Sequence, residues 1–164
     1  MQILCFCMVF LLTVFNTNGQ TRKTITLSVK DQEFHVKVDS IFQISCVVEN
    51  NEDNSITVPI RPVINGYKIY TSFQLGAKIF FINKLKDRLE EIQLDFPTHE
   101  TTPLTELVNA NKSHLIKAVF LGFGLSKKGK YKVKLYLKYS KDRQMSKQEK
   151  FKEVTSKWFY ITVQ

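Results

Sequence analysis

The sequence predicts an all-β protein, a single antiparallel β-sandwich of about seven to nine strands. The strongest indication is the segment YKVKLYLKY at residues 131–139, where apolar or aromatic side chains occupy the odd positions and Lys132, Lys134 and Lys138 occupy even ones. A period of two places one row of side chains in a core and the other in water, as in a half-buried strand. In a helix the same lysines would be spread around the whole circumference.

Other segments of the chain are short, alternating or apolar, and turn-forming residues separate them, as in the stretch ENNEDNS at residues 49–55. Pro59 favours a sheet edge for its segment, because proline has no N–H for a central ladder. The composition, 43% hydrophobic with 6 Gly and 4 Pro, excludes a disordered or collagen-like chain. The further predicted strands cover residues 24–29, 34–38, 42–48, 56–60, 78–82, 115–120 and 158–163.

Residues 1–19 have the features of a secretory signal peptide, and residues 20–164 then form one domain. The first 18 residues carry no charged side chain, and residues 3–15 are almost continuously apolar. This run is shorter than the roughly 20 residues that a membrane-spanning helix needs. We therefore expect a secreted, periplasmic or cell-surface protein with no transmembrane segment in its mature chain. An uncleaved N-terminal anchor is the alternative.

The cysteine usage predicts a domain without a disulfide. Cys5 and Cys7 lie in the predicted signal segment, so Cys46 is the one cysteine of residues 20–164. A single cysteine cannot form an internal disulfide, so the hydrophobic core must stabilise the domain. Cys46 occupies an apolar position of its predicted strand, where we expect it to act as a small buried hydrophobic residue.

One segment interrupts the strand pattern. Within residues 98–111, Thr102 precedes Pro103 and the sequence Leu-Thr-Glu-Leu-Val. Threonine is a favourable N-cap, and proline suits the first position of a helix. The sequence therefore predicts one short helical turn in this insert loop.

The C-terminal part of the chain resembles an immunoglobulin-like domain. Gly129-Lys130-Tyr131, at the entrance to the alternating strand, is similar to the tyrosine corner of such domains. Together with Leu125 before it and TSKWFYITV at residues 155–163, it resembles the last two strands of immunoglobulin-like domains in bacterial extracytoplasmic and envelope proteins. The resemblance implies an immunoglobulin-like β-sandwich and says little about activity.

Two departures separate the chain from antibody-type domains. Cys46 lies where the resemblance places the first disulfide cysteine, but Val133, two residues after Tyr131, stands in the place of its partner. Trp158 lies on the last predicted strand, whereas antibody-type domains bury theirs on the third. We assign structural roles to all four of these residues: Tyr131, Val133, Cys46 and Trp158.

The sequence contains no catalytic or metal-binding motif, and we predict a non-enzymatic protein with no cofactor and no metal. The three histidines, His35, His99 and His114, lack the spacing of the HExxH and HxxEH motifs. His99 and Glu100, near Asp95, are the one pair that could contribute metal ligands. There is also no GxSxG elbow and no phosphate-binding glycine loop.

The positive charge is concentrated near the C-terminus. Residues 127–157 contain 12 of the 24 Lys and Arg but 3 of the 15 Asp and Glu, so the whole formal excess of +9 falls in this segment. Such a field attracts anions. The candidate residues for binding an anion or a partner lie on the alternating strand and in the loop after it: Lys132, Lys134, Tyr136, Lys138, Lys141, Arg143, Lys147 and Lys150.

We therefore favour a secreted or periplasmic, non-catalytic binding or adaptor module, whose basic C-terminal hairpin contacts an anionic envelope polymer or a protein partner. Export argues against nucleic acid as its primary partner. One alternative is a structural accessory subunit that associates through edge strands. Another is a proteinase-inhibitor-like sandwich that presents residues 98–111 to a protease. Lysines on the outer face of a strand also keep sheets soluble, so a solvated face without a ligand remains a further interpretation.

Overall fold

A computed structural model describes residues 24–60, 62–64, 74–92, 104–121, 125–141 and 151–164 of the chain. These residues form an all-β protein with twelve strands and no helix, so they include no helical segment able to cross a membrane. The predicted signal segment lies outside the described residues, as do Arg143, Lys147 and Lys150.

Most of the strands are short, and four of them are ten residues or longer. Their bounds are β1 Ile25–Val29, β2 Glu33–Val36, β3 Ile41–Asn50, β4 Ile56–Pro59, β5 Val63–Ile64, β6 Gln74–Asn83, β7 Arg88–Ile92, β8 Thr105–Val108, β9 Lys112–Leu121, β10 Gly129–Tyr139, β11 Lys152–Thr155 and β12 Phe159–Val163.

The first sheet has the strand order β1-β3-β9-β5. Its longest pairing joins β3 and β9 antiparallel, from Ile41 opposite Leu121 to Asn50 opposite Lys112. The strand β1 pairs antiparallel with β3 on one edge, and the short β5 pairs parallel with β9 on the other.

The second sheet has the order β2-β12-β10-β6-β7, with β11 also paired to β10. The strand β10 lies at its centre, antiparallel to β6 on one side and to β12 and then β11 on the other. The edge strand β2 runs parallel to β12, so this sheet is mixed, whereas the sequence predicted an antiparallel one. Parallel strands need a long connection, and here nearly the whole domain separates the two in sequence.

The prediction of a helical turn after Pro103 is wrong for residues 105–108. These residues form β8, which pairs antiparallel with β4 from Ile56 opposite Val108 to Pro59 opposite Thr105. This pairing supplies hydrogen-bond partners for backbone groups that a lone helical turn would leave largely unsatisfied. It also buries Val108. Tertiary context therefore overrides the local helix signal. Thr102 and Pro103 themselves lie outside the described residues.

Both large sheets contribute side chains to one hydrophobic core. The alternation predicted for residues 131–139 is present in β10: between these bounds the odd-numbered residues are buried and the even-numbered ones are partly exposed. Burial of one large apolar side chain contributes about 1.5–3 kcal/mol, so this row is an important source of stability. The buried row consists of Tyr131, Val133, Leu135, Leu137 and Tyr139.

Cys46 is a completely buried free cysteine of β3. Burial raises the pKa of its thiol to about 12, because apolar surroundings disfavour the charged thiolate. Since the thiolate is the reactive form of cysteine, Cys46 behaves chemically as an inert core residue.

The hydroxyl of Tyr131 closes the loop that leads into β10. It donates a hydrogen bond to the carbonyl oxygen of Lys127 at 2.8 Å and accepts one from the amide of Lys127 at 3.2 Å. A tyrosine corner makes the same kind of contact with the backbone a few residues upstream. Gly129, the first residue of β10, has φ 144°, and a Cβ there would come within 2.7 Å of a ring carbon of Phe81. Glycine is therefore the residue that this close approach accommodates.

The buried side chain of Asn50 fastens the turn that follows β3. Its Oδ1 accepts a hydrogen bond from the amide of Glu52 at 3.1 Å. Its Nδ2 lies within 2.8–3.1 Å of three carbonyl oxygens, those of Asn54, Val108 and Asn109. One amide thus joins the turn after β3 to the end of β8, without leaving a buried polar group unsatisfied.

We predict that Tyr131→Phe lowers the free energy of unfolding by about 1 kcal/mol, the typical net contribution of such a hydrogen bond. The ring and its packing stay, while the backbone of Lys127 loses its partner. Chemical denaturation measures the change. Tyr160→Phe is the matched control, because the described residues offer no hydrogen bond to that hydroxyl; equal stability of the two variants would contradict the prediction.

We also predict that the native protein protects Cys46 from alkylation. With a pKa near 12, only about one thiol in ten thousand is ionised at pH 8, and the side chain is shielded from solvent. Iodoacetamide at pH 8 should leave the Cys46 peptide unmodified in the folded protein and modify it fully in denaturant, as read by peptide mass mapping. Rapid modification of the folded protein would show that this part of the core is open.

Candidate functional site

The outward side chains of β10 form the centre of the candidate site. Because its odd-numbered residues are buried, the even-numbered ones point away from the core on the outer side of the second sheet. Four of the residues predicted from the sequence are thereby brought together on one strand face, each partly exposed: Lys132, Lys134, Tyr136 and Lys138.

Lys132 lies in the middle of a row of side chains that crosses five strands. It is opposite Tyr160 of β12 on one side and Phe80 of β6 on the other. One strand further out, Glu33 of β2 is opposite Tyr160, and Glu91 of β7 is opposite Phe80. Residues directly opposite one another share a face of the sheet. The row, which we call the Lys132 row, therefore reads carboxylate, ring, ammonium, ring, carboxylate.

Trp158 lies beside this row, just before β12 begins, and is partly exposed. The Nζ atoms of Lys132 and Lys134 lie 4.9 and 5.3 Å from its ring centroid, within the range of cation–π attraction. The rings of Trp158 and Phe80 are 5.8 Å apart between centroids and tilted by 57°. Together these five residues make up what we call the lysine–aromatic face: Phe80, Lys132, Lys134, Trp158 and Tyr160.

On the β2 side, the face is bordered by a lysine and a glutamate that form an ion pair. The Nζ atom of Lys130 lies 3.0 Å from a carboxylate oxygen of Glu33 and 4.5 Å from the ring centroid of Tyr160. The hydrogen bond from Lys130 lowers the pKa of Glu33, and its charge and a hydrogen bond from Thr162 lower it further. This border therefore carries a carboxylate and an ammonium that largely cancel each other's charge.

The β7 side has the same arrangement. The Nζ atom of Lys78 lies 3.5 Å from a carboxylate oxygen of Glu91 and 5.3 Å from the ring centroid of Phe80. Both side chains are at least a third exposed, so the pair contributes little to stability. Its effect is local, since it neutralises the second border of the face.

The two central lysines lack such acidic partners. Within the described part of the chain, no carboxylate lies within ion-pair distance of Lys132 or Lys134, and their close contacts are with the ring of Trp158. The positive charge of the face is therefore concentrated at its centre, next to partly exposed aromatic rings. Such a centre can attract an anion and also pack against an apolar surface.

Lys141 belongs to a different part of the surface. Its ammonium forms an ion pair with Glu52, and this hydrogen bond raises the pKa of Lys141. The lysine thus has an acidic partner already, unlike the two central lysines of the face. It borders an open cavity of about 480 Å³ that is lined by Asn54, Ser55, Leu107, Asn109 and Lys141.

The four residues assigned structural roles do not lie together. Tyr131, Val133 and Cys46 are buried in the core, whereas Trp158 lies on the outer side of the second sheet. Sequence reasoning did not connect Trp158 and Tyr160 with the lysines. The sequence did contain a signal, because Trp158 and Tyr160 alternate with the apolar residues of the last strand, which are buried. Phe80 offered no such signal, since it lies in the continuous apolar run IFFI.

No three His, Cys, Asp or Glu side chains among the described residues are arranged to hold a metal ion. His35 is exposed on β2, and the Nδ1 atom of His114 lies 3.6 Å from a carboxylate oxygen of Glu106. The predicted pair His99 and Glu100 lies outside the described residues.

Two sequence comparisons with known proteins found no match, so the geometry of the face is the basis for inferring a function. No protein-family model matches the chain. No curated protein sequence matches it significantly.

Proposed function

We propose that the chain is an exported, non-catalytic binding module of immunoglobulin-like fold that holds an anionic ligand or partner on its lysine–aromatic face. The fold proposal is supported by the order of the strands. In immunoglobulin-like sandwiches, strands A, B and E adjoin in one sheet, while G, F, C and C′ adjoin in the other. The orders β1-β3-β9 and β12-β10-β6-β7 follow the same sequence of neighbours.

The observation that carries the functional proposal is the environment of Lys132 and Lys134. Two ammonium groups lie within 5.3 Å of the centroid of one partly exposed tryptophan ring, with no described carboxylate in ion-pair range. Lysines that serve only solubility require no aromatic surface beside them. Tryptophan is enriched where proteins contact partners, because it combines a large apolar area with a polar group.

The position of the face on a sheet suits binding without a conformational change. The strand β10 is hydrogen-bonded on both sides, so the backbone that carries the two lysines is held in place. A surface organised before the ligand arrives loses little conformational entropy on binding. We therefore expect a rigid module that binds its ligand and catalyses no reaction.

Retention on immobilised carboxymethyl-dextran across a salt series tests the proposal. We use residues 20–164, since each described strand pairs with strands inside that range. The wild-type protein should remain bound at about 0.15 M salt. Lys132→Gln/Lys134→Gln/Lys138→Gln should elute at clearly lower salt, because β10 has lost three outward positive charges, two of them at the centre of the face.

The matched control is Lys30→Gln/Lys112→Gln/Lys117→Gln, which removes the same charge from exposed positions on and beside the first sheet. It should elute close to the wild type. If both triple variants shift equally, retention reflects net charge alone and the proposed face is not a binding site. If neither wild type nor control is retained, the module does not bind anions.

A further inference from the structure

We infer that the lysine–aromatic face recognises an acidic glycan of low charge density, in which one carboxylated sugar is flanked by neutral sugars. The inference rests on the proposed function and names the chemical class of the ligand. It is carried by the Lys132 row, where a single ammonium lies between two rings and each ring is followed by a carboxylate.

The centre of the row provides for one negative charge. Lys132 and Lys134 are two residues apart on one strand, and their ammonium groups converge on the same ring of Trp158. A carboxylate hydrogen-bonded to Lys132 would also experience the positive charge of Lys134, since both ammonium groups lie within 5.3 Å of one ring centroid. A charge-assisted hydrogen bond of this kind contributes more than a neutral one and fixes the position of the acidic sugar.

The rings on either side of Lys132 suit neutral sugars. Tyr160 and Phe80 are partly exposed and lie one strand away from it in opposite directions. The C–H bonds on the flat side of a sugar ring are slightly positive and pack against the electron-rich face of an aromatic ring. Strands are spaced by about 4.8 Å, close to the length of one pyranose unit. Successive sugars of a chain lying across the strands would therefore meet successive side chains of the row.

The ends of the row disfavour a second charge. Glu33 and Glu91 lie two strands from Lys132, about 10 Å away on either side. Each is paired with a lysine, at 3.0 and 3.5 Å respectively, so neither end has a net attraction for an anion. Their carboxylate oxygens are partly exposed and can accept hydrogen bonds from sugar hydroxyls.

This pattern of charge distinguishes between polymers. In polyphosphate, single-stranded nucleic acid or a polyuronate, every unit carries a negative charge. Several of those charges would lie at the borders, where glutamates already neutralise the lysines. A glycan with one carboxylate in about four sugars would place its charge at Lys132 and its hydroxyls at both glutamates. The row therefore matches the second kind of chain.

The test titrates residues 20–164 with gellan fragments, whose linear tetrasaccharide repeat carries one glucuronate among neutral sugars. Oligogalacturonate, polyphosphate, oligodeoxythymidine and neutral dextran are the comparison ligands. Trp158 is the one tryptophan of the chain, so its fluorescence reports directly from the face. Calorimetry gives the affinities at physiological salt.

We expect the gellan fragments to bind at least tenfold more tightly than each comparison ligand of equal length, with a saturable change in Trp158 emission. Lys132→Gln should weaken this binding about tenfold or more, as expected for loss of a charge-assisted contact. Glu33→Gln/Glu91→Gln should strengthen the binding of oligogalacturonate and polyphosphate several-fold, because both borders then carry an uncompensated lysine. The control Glu49→Gln/Glu106→Gln removes equal charge elsewhere and should leave the preference unchanged.

The outcomes separate the two proposals. Tighter binding of oligogalacturonate, polyphosphate or oligodeoxythymidine, still dependent on Lys132, would overturn the glycan assignment and leave the anion-binding function standing. Equal binding of dextran and gellan would overturn it as well, since the charge would then play no part. If no ligand binds in a way that depends on Lys132, both the assignment and the proposed function are wrong.

Discussion

The alternation of side chains along β10 is the constraint on which the rest of the structure depends. This strand lies in the middle of the second sheet, with β6 on one side and β12 and β11 on the other. Its odd positions bury five large side chains in the core. The same backbone geometry directs the even positions to the opposite side. A slip of one residue would expose the core row and bury the lysines, so the core row and the lysine–aromatic face are both set by one register.

The lysines of this surface are placed in two different electrostatic environments. Lys130 and Lys78 each have a glutamate within 3.5 Å, whereas the described residues near Lys132 and Lys134 offer the ring of Trp158 and no carboxylate within ion-pair distance. Like charges on one strand face repel each other, and the negative face of an aromatic ring offsets part of that repulsion. The ring leaves the net charge unchanged, so the centre of the face stays positive while its borders are close to neutral. This graded charge is the basis for expecting a sparsely charged ligand.

The entrance to β10 keeps this strand in position. The hydroxyl of Tyr131 makes two hydrogen bonds with the backbone of Lys127, and Gly129 permits the close approach of the Phe81 ring. Tyr131 is also the first residue of the buried row, so the loop and the core are joined through one side chain. The loop is therefore fixed relative to the strand that carries the lysine–aromatic face.

The sequence by itself determined the class of the fold and the two sides of its most regular strand. The period of two in residues 131–139 identified which residues enter the core, and the apolar position of Cys46 indicated its burial. Tertiary structure decided what lies beside each strand. Thr105–Val108 became a strand because β4 supplied hydrogen bonds that the local helix signal could not anticipate. The Lys132 row joins side chains as far apart in sequence as Glu33 and Tyr160. Alternation follows from the local geometry of an extended backbone, whereas strand order and register arise from hydrogen bonds between distant segments, which no single segment encodes.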